Sequence, residues 1–512
     1  MIRRALLSVY DKDGLDTFAR GLDELGVELV ASGGTATFLE KIGIAVTPVE
    51  ELTEVPELLG GRVKTLHPRI HAAILARRDR ADDQAALDEH EIEPFDLVCV
   101  NLYPFEDVVS RRAVGEQDAV EMIDIGGPAM LRAAAKNFAH VAPVCRPDRY
   151  AEILGELRAN EELSLDTRRR LASETFALTA QYEAAIAGWF SAPEAFPDTF
   201  LPGFTKELEL SYGENPHQHA AYYAERGARR HLLSRVEQLH GRELSYNNLN
   251  DLSAARLVAH EFELPTCVIV KHANPCGVAV SGSIEQAYAR ALAADPLSAY
   301  GGIVVLNRPV SEALGEKLAE QFVEVLFAPG YDEAALELLR EKPGTRILLD
   351  NERRLANPGE RDYTRVLGGL LVQERDTDIE ERDAMDVVCG SPNEMAWGDL
   401  LFAWRVCRHV TSNAIVLARD LQTIGIGAGQ MSRVDAVRIA LDKAREHGHE
   451  LAGAALASDA FFPFADGPEL ALGAGVTGII QPGGSKRDAE VIDAVERERG
   501  TMVFTHRRHF RH

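Results

Sequence analysis

The sequence predicts an α/β protein whose sheets are covered by helices, and two observations support that fold class. The first is an alternation near the amino terminus: an apolar run at 5–9, apolar residues at helical spacing over 15–25, and another apolar run at 27–30. Alternation of this kind is typical of strand–helix–strand units and doubly wound sheets. The second is that comparable apolar runs return along the chain, at 97–100, 141–144, 267–270, 303–306, 414–417 and 477–480.

The first region is predicted to alternate strands and helices. The strand at 5–9 leads into a helix because Leu15, Phe18, Leu22 and Leu25 recur every three or four residues and share one face. The run at 27–30 returns as a strand. Further helices are predicted near 128–136 and 148–157, beside the strands at 97–100 and 141–144.

The chain should contain more than one domain, because 512 residues exceed the size at which a single core keeps growing. Prolines and a shift in composition interrupt the alternation over 191–203. We place the domain boundary in this stretch and predict domains at 1–195 and 196–512. The second is larger and should have two lobes, although no internal repeat stands out in the sequence.

Composition narrows the possible partners. Hydrophobic residues make up 46% and charged residues 26%, as in soluble globular proteins. The net charge of -25 disfavours binding to nucleic acid or anionic lipid. No apolar stretch is long enough to span a bilayer or form a secretory signal, and the six cysteines form no C-x-x-C pair, so we expect a cytoplasmic protein with reduced cysteines. Zinc-binding motifs are absent from the sequence, and we predict no metal.

Two segments of the first region predict an anion site. Residues 32–35, Ser-Gly-Gly-Thr, lie where a strand meets a helix, so backbone N–H groups and hydroxyls gather at a helix start and could hold a phosphate. An ordinary turn with a Thr cap is an equal alternative. Arg62 and Lys64 would share one face of an extended segment with Val63 opposite. Together with Lys12, they favour an anionic ligand in this acidic protein.

Asp124 precedes a predicted helix, and its role has two interpretations. Proline at 128 is suited to the first turn of that helix. Asp124 could therefore cap the helix, or it could act as an acid/base group beside Tyr103 and Lys136. The residues alone leave both open.

In the second region, Lys271 and His272 follow a buried-type apolar run at 267–270. A lysine can stabilise developing negative charge while a histidine moves a proton near neutral pH, as formyl transfer to a weak amine requires. Because a strand sends adjacent side chains to opposite faces, we expect that only a bend at 274–275 lets them converge. For the dipeptide alone, a surface pair without function is the favoured alternative.

Three other segments have weaker signals. The polar, turn-rich run at 211–218 could line a site or be a surface turn. Glycines over 425–429 do not fit G-x-G-x-x-G in either register, which argues against a nicotinamide-dependent dehydrogenase. The aromatic run at 457–464 could stack on a planar heterocycle or pack in the core.

Taken together, these segments indicate a family. The runs at 61–68, 124–137, 212–218, 271–277, 425–433, 457–464 and 481–485 resemble, in order, motifs of the bifunctional purine-biosynthesis family AICAR transformylase/IMP cyclohydrolase. The resemblance implies a methylglyoxal-synthase-like amino-terminal cyclohydrolase domain. It also implies a transformylase region of two cytidine-deaminase-like α/β units, and a homodimer with transformylase sites at its interface. AICAR would be formylated by 10-formyltetrahydrofolate to FAICAR, which would then cyclise to IMP.

The resemblance also implies roles for individual residues. His272 would take a proton from the substrate's 5-amino group, while Lys271 and Asn413 would stabilise the tetrahedral oxyanion. Further substrate contacts would come from Tyr212, Glu324, Arg508 and Phe510. In the cyclohydrolase half, the implied phosphate contacts are Ser8, Lys12, Ser32, Gly33, Thr35, Arg62, Lys64 and Thr65. Ring closure would be assisted by Lys64, Tyr103, Asp124 and Lys136.

Four departures from the family pattern affect the expected binding. Tyr10, Tyr300 and Ala465 stand where the family has a serine, a phenylalanine and an arginine, and each could weaken or reshape binding. Ser211 stands where the family usually has an arginine that contacts the nucleotide phosphate. We therefore expect altered binding of the aminoimidazole ribonucleotide. A different class of function also stays open, because the amino-terminal fold resembles modules that sense nucleotides without turnover; Lys64, Tyr103, Asp124 and Lys136 argue against it.

Overall fold

The computed structural model describes residues 2–110, 114–192, 194–226, 236–351, 360–378 and 381–512. The chain divides into two compact units, Met1–Gly203 and Phe204–His512. This division lies at the end of the stretch 191–203, whereas the sequence-based boundary follows residue 195. The two units are described separately below.

The first unit alternates strands and helices, which confirms the predicted α/β class. Its elements are β1 Arg4–Val9, α1 Leu15–Glu24, β2 Glu28–Ala31, α2 Gly33–Lys41, β3 Thr47–Pro48, α3 Val49–Thr53, α4 Pro68–Leu75, α5 Ala81–Glu89, β4 Leu97–Asn101, α6 Phe105–Val109, α7 Glu116–Glu121, α8 Gly126–Lys136, β5 Ala142–Val144, α9 Tyr150–Asn160 and α10 Leu165–Phe190.

Its sheet, within the described residues, has the order β3-β2-β1-β4-β5 with parallel pairing throughout. Both faces are buried, since Leu7 packs with Phe18 of α1 on one side and Leu6 packs with Leu131 of α8 on the other. The strand order reverses at β1, and ligands of such sheets bind outside the carboxyl ends of the strands at this point.

The second unit contains the remaining elements. These are β6 Phe204–Leu210, β7 Ala220–Glu225, β8 Glu237–His240, α11 Tyr246–Ala259, β9 Thr266–Lys271, β10 Asn274–Val280, α12 Ile284–Ala294, α13 Pro296–Ala299, β11 Ile303–Leu306, α14 Glu312–Glu320, β12 Val325–Ala328, α15 Glu333–Arg340, β13 Arg346–Leu349, β14 Arg361–Val366, β15 Gly369–Glu374, β16 Asp386–Cys389, α16 Glu394–Cys407, β17 Ile415–Arg419, β18 Gln422–Gly427, α17 Arg433–Glu446, β19 Ala455–Ser458, α18 Asp466–Gly473, β20 Gly478–Gln481, α19 Asp488–Arg497 and β21 Thr501–Phe504.

The large sheet of this unit, as far as its residues are described, is built as a structural repeat. Its order is β16-β21-β20-β19-β17-β18-β10-β9-β11-β12-β13-β8. Each half pairs a hairpin, β9–β10 or β17–β18, with three parallel strands and one antiparallel edge strand, and the halves join through β10 and β18. The sheet therefore has two similar halves, although no repeat stood out in the sequence.

Helices cover this sheet on both faces. Residues of α11 and α16 share one cluster with both halves, including Leu252 and Trp404. On the opposite face, α12 packs on the first half and α17 on the second. In the described part of the chain, no helix has the length and apolar character needed to cross a membrane.

We expect the stability of the protein to depend on pH, because burial lowers the pKa of one histidine. His260 follows α11, and burial together with the charge of Arg256 lowers its pKa from 6.5 to about 4. Between these two values the unfolded chain binds more protons than the folded one, so stability falls as the pH falls from 6.5 towards 4. At about 1.4 kcal/mol per pKa unit, His260 should account for roughly 2–3 kcal/mol of this loss.

This prediction can be measured by urea unfolding at pH 7 and pH 4.5. We expect His260→Asn to lose less unfolding free energy than the wild type over this interval. Equal losses in both proteins would contradict the prediction.

Candidate active sites

The first candidate site is a cavity of about 820 Å³ outside the carboxyl ends of β1, β2 and β4. It gathers side chains from segments far apart in sequence. The predicted residues that line it are Ser8, Lys12, Ser32, Thr35, Arg62, Lys64, Thr65, Tyr103 and Asp124.

Hydroxyl groups and an ammonium group meet at the start of α2. Ser8 Oγ and Ser32 Oγ lie 2.7 Å apart, and Thr35 Oγ1 accepts from the Val9 amide at 3.0 Å. Lys12 Nζ lies 3.5 Å from Thr35 Oγ1. Burial lowers the pKa of Lys12, with the charge of Asp11 opposing it. This arrangement at a helix amino terminus suits a phosphate group.

Gly33 adjoins this group for a steric reason. Its φ is +38°, and a Cβ built there would overlap Lys64 Nζ. Glycine therefore lets Lys64 reach the start of α2.

Two cations of this cavity, Lys64 and Arg62, are paired with carboxylates. Lys64 Nζ lies 2.7 Å from Glu57 Oε2, and Arg62 forms an ion pair with Glu121. Glu57 and Glu121 line the same cavity and were not among the predicted residues. An anionic ligand would have to displace these carboxylates. The two cations are therefore less available to a ligand than the sequence suggested.

Asp124 caps the start of α8, as one of the two interpretations expected, and it also lines the cavity. Its Oδ1 accepts from the Gly127 amide at 2.8 Å, at the start of α8. Burial raises the pKa of Asp124, opposed by the bonds from the Gly127 and Tyr103 amides. Burial and the charge of Asp124 raise the pKa of Tyr103. A buried carboxyl group with a raised pKa is suited to acid/base chemistry, so the two interpretations are compatible.

Lys136 is not brought into this group, which corrects the prediction that it lies beside Tyr103 and Asp124. Lys136 is the last residue of α8, a helix of 11 residues that spans about 16 Å at about 1.5 Å per residue. It lines a different cavity of about 670 Å³, together with His71, Arg132 and Arg169. The helix length thus separates two residues that are only twelve apart in sequence.

Asn101 was missed by the sequence analysis. At the carboxyl end of β4, its Oδ1 accepts from the amides of Tyr10 and Asp11 and its Nδ2 donates to Asp11 O at 2.8 Å. It thereby holds the loop after β1 that carries Lys12. Its place at the end of an apolar run was the available signal.

The second candidate site begins at the β9–β10 hairpin. Lys271 ends β9, Asn274 begins β10, and the turn residues His272 and Ala273 have φ of +53° and +59°. The bend thus lies at 272–273 and not at 274–275, where Pro275 already pairs with Val270. This corrects the expected position of the bend. The cause is a tight two-residue hairpin turn with both central residues left-handed.

Lys271 and His272 have different environments. Lys271 is partly buried, and its Nζ donates to Gly301 O at 2.7 Å. His272 is exposed at the turn. The hairpin therefore presents a held ammonium beside an accessible imidazole.

Glu324 lies on the same sheet edge. Its amide donates to Gly302 O at 3.0 Å, next to the Gly301 carbonyl that holds Lys271. Its Oε1 accepts from Asn248 Nδ2 at 2.8 Å and lies 3.7 Å from Arg346 Nη1. The structure therefore places Glu324 near Lys271.

The loop that carries Asn413 adjoins the same hairpin. Asn274 Oδ1 accepts from the Thr411 amide at 2.9 Å. Asn413 Nδ2 donates to Gln430 O at 2.8 Å, and its Oδ1 accepts from Arg433 Nη2 at 2.7 Å. These bonds fix the Asn413 amide with one of its two N–H groups directed to Gln430.

A buried ion pair supports this loop. Asp459 is fully buried and pairs with Arg433, and it also accepts from Ser412 Oγ and, at 3.2 Å, from the Ala414 amide. Neither Asp459 nor Arg433 was among the site residues expected from the sequence. Of that run, Phe462 is buried in the core.

The carboxyl-terminal tail packs on the same loop. The Ser412 amide donates to Arg511 O at 2.9 Å, and the His509 amide donates to Asp459 O at 3.1 Å. In this tail, the Arg508 guanidinium lies 4.5 Å from the Phe510 ring centroid. The tail contacts place the segment containing both predicted residues beside the Asn413 loop.

Tyr212 lies close to the start of α11. Its carbonyl accepts from the Tyr246 amide at 3.1 Å. The neighbouring Ser211 is exposed, and its Oγ donates to Leu244 O at 3.2 Å.

Among the described residues, no group of three or more His, Cys, Asp or Glu side chains could hold a metal ion.

The chain matches two protein families and several known relatives. The family model for the AICARFT/IMPCHase bienzyme matches residues 134–443, and that for the MGS-like domain matches 14–129. The bifunctional purine biosynthesis protein PurH of Magnetococcus marinus is 48% identical, with 100% of this chain and 99% of the relative covered. PurH of Bacillus mycoides is 47% identical, with 100% of both covered. The crystal structure of ForH is 38% identical and covers 38% of this chain and 98% of its own, with a TM-score of 0.33.

The two family models together cover most of the sequence, in the order that the motifs indicated. The resemblance stated from those motifs is thereby confirmed. The chain belongs to the AICARFT/IMPCHase bienzyme family.

Proposed function

We propose that the two units perform consecutive reactions. The second unit transfers a formyl group from 10-formyltetrahydrofolate to AICAR, and the first unit closes the resulting FAICAR to IMP with loss of water. The observation that carries this proposal is the convergence of predicted residues from distant segments at two places, the cavity of the first unit and the Lys271 edge of the second.

For formyl transfer, the 5-amino nitrogen of AICAR attacks the formyl carbon, and the bond from that carbon to the folate nitrogen breaks. His272, exposed on its turn, takes a proton from the amino group, and the departing folate nitrogen gains a proton, so that the numbers of protons balance. The ammonium of Lys271 and the remaining N–H of the Asn413 amide stabilise the tetrahedral oxyanion. The bond from Lys271 to Gly301 O holds the ammonium in place before the substrate arrives.

For ring closure, the carboxamide nitrogen attacks the formyl carbon of the same molecule, and water leaves. Because both groups belong to one substrate, positioning supplies much of the acceleration. Ser8, Lys12 and Thr35 at the start of α2 would hold the phosphate. The partly buried Asp124, whose pKa is raised, would give a proton to the departing oxygen with Tyr103 beside it. Lys136 is left out of this set because it lines another cavity.

The homodimer and the cytoplasmic location belong to the same proposal. Exposed apolar side chains on the β14–β15 hairpin support a contact with a second copy, because Leu367 is fully exposed and Leu371 is 60% exposed. Sites at such an interface would be completed by the partner. The measured mass in solution should be twice 56.1 kDa.

The proposed function is tested by supplying AICAR and 10-formyltetrahydrofolate and identifying products by mass. We expect FAICAR first and IMP afterwards. FAICAR supplied without folate should also give IMP. Formylation without IMP would contradict the proposal for the first unit and leave it as a nucleotide-binding module, while absence of FAICAR would contradict the proposal for the second.

The serine at 211 leads to a prediction about affinity. Because Ser211 bonds to Leu244 O and brings no cation, Ser211→Arg should add a charged contact to the AICAR phosphate. Such a hydrogen bond is worth about 1.5–3 kcal/mol, and exposure reduces it. We expect the KM for AICAR to fall by roughly three- to tenfold. An unchanged KM for the folate is the internal control, and an unchanged KM for AICAR would contradict the prediction.

A further inference from the structure

The two halves of the large sheet repeat an uncommon turn. In the first half, the turn between β9 and β10 consists of His272 and Ala273, with φ of +53° and +59°. In the second, the turn between β17 and β18 consists of Asp420 and Leu421, with φ of +52° and +58°. None of the four is glycine, so each residue occupies a region that L side chains rarely adopt. Such turns persist only where surrounding contacts hold them.

A carboxylate from a helix holds each turn in the same way. Asp251 of α11 accepts from the Ala273 amide at 2.7 Å and also from the His272 amide. Asp399 of α16 accepts from the amides of the equivalent turn, at 2.9 Å and 2.8 Å. In both cases burial raises the aspartate pKa, and the amide bonds oppose that shift. The two aspartates are thus structural counterparts.

The helix that carries Asp251 is itself fixed at the site. Ser245 and Asn248 form a capping box at the start of α11, and Asn248 also donates to Glu324. Asp251 follows one turn later, on the same face. It therefore connects the His272 turn to a helix that is anchored on the sheet edge.

The turn of the second hairpin is also held by an aspartate, but its own side chains differ from those of the first. Asp420 occupies the place of His272, and Arg419 occupies that of Lys271. Arg419 pairs with Glu450 at 2.7 Å. The carboxylate that holds the turn is thus common to both halves, whereas the imidazole is found in one.

We propose that Asp251 is a positioning residue for formyl transfer, which fixes the backbone of the His272 turn so that the imidazole meets the attacking amine. This inference rests on the proposed function of the second unit. A displacement of about 1 Å at a reacting group can cost about a hundredfold in rate. Asp399 supplies the same backbone bonds to a turn that has no part in the reaction.

The pair provides a matched comparison. Asparagine offers one acceptor oxygen where aspartate offers two, so Asp251→Asn and Asp399→Asn each lose one turn bond. We expect similar decreases in Tm for both variants. Asp251→Asn should lower the kcat of formyl transfer about a hundredfold, with both KM values within about threefold of wild type. Asp399→Asn should keep kcat within about twofold.

A rescue variant keeps the test decisive where Asp251→Asn folds poorly. Ala273→Gly removes the cost of a positive φ at one turn position. If Asp251→Asn folds, the double variant Asp251→Asn/Ala273→Gly should have a kcat about tenfold higher than Asp251→Asn. If Asp251→Asn is insoluble, the double variant should remain soluble, and its kcat should be well below that of Ala273→Gly.

The outcomes separate the two proposals. A wild-type protein without formyl transfer overturns the proposed function, and the role of Asp251 with it. Wild-type activity with equal kcat in Asp251→Asn and Asp399→Asn overturns the positioning role alone. A double variant whose Tm recovers while kcat gains nothing also overturns it.

Discussion

Replacing His272 with alanine is expected to lower the kcat of formyl transfer by about a hundred- to ten-thousandfold, because the variant has no group at the turn that can take the proton of the amine. Lys271→Ala should cost about a hundred- to thousandfold, since the ammonium held on Gly301 O is lost as an oxyanion donor. Steady-state kinetics with AICAR and the formyl donor measures both effects.

The structural repeat supplies the control for these variants. Asp420→Ala and Arg419→Ala change the corresponding positions of the second hairpin, where no role in catalysis is proposed. Both controls should keep kcat within about threefold of wild type. If His272→Ala and Asp420→Ala had the same kcat, the assignment of the proton acceptor would be wrong.

Replacing Asp459 with asparagine is expected to destabilise the second unit by about 3–5 kcal/mol. The substitution leaves Arg433 buried beside a neutral side chain and weakens the bonds to Ser412 and Ala414. Since Arg433 also holds the Asn413 amide, formyl transfer should fall as well. Urea unfolding, monitored by tryptophan fluorescence, measures the change in free energy.

An exposed ion pair is the matched control for this variant. Asp435 and Arg438 lie one turn apart on α17 with about half of each side chain exposed. Asp435→Asn should change the free energy of unfolding by less than about 1 kcal/mol, because exposed pairs contribute little. Equal effects of the two substitutions would contradict the importance of the buried pair.

The fold was predictable where its strands are buried on both faces. Runs such as 97–100 are apolar throughout, as expected of parallel strands between two layers of helices. The family resemblance implied two similar units, but the residues themselves did not reveal the repeat, because its halves share strand pairing and turn support and not the residues at the turns. For example, His272 of the first turn corresponds to Asp420 of the second.

The His272 turn shows a second limit. Two-residue turns of this type are usually signalled by Asn-Gly or Asp-Gly, and neither is present at 272–273. The sequence therefore pointed to the following Asn-Pro as the bend. What permits the observed turn is Asp251, which lies about twenty residues earlier on another element.

The cavity of the first unit was predicted in large part because its hydroxyl and glycine residues follow strands, where patterns are visible. Its charge balance was not, since Glu57 and Glu121 become partners of Lys64 and Arg62 only in the folded chain. Lys136 was wrongly expected beside Asp124 because the two residues are close in sequence. In the folded chain the length of α8 separates them.

We propose that formyl transfer takes place at the Lys271–His272 edge and ring closure in the other unit. A mass-resolved time course of Lys271→Ala/His272→Ala tests it most directly, with AICAR and 10-formyltetrahydrofolate in one reaction and FAICAR alone in another. We predict no FAICAR in the first reaction and IMP formation at the wild-type rate in the second. Formylation of AICAR at the wild-type rate would contradict the claim.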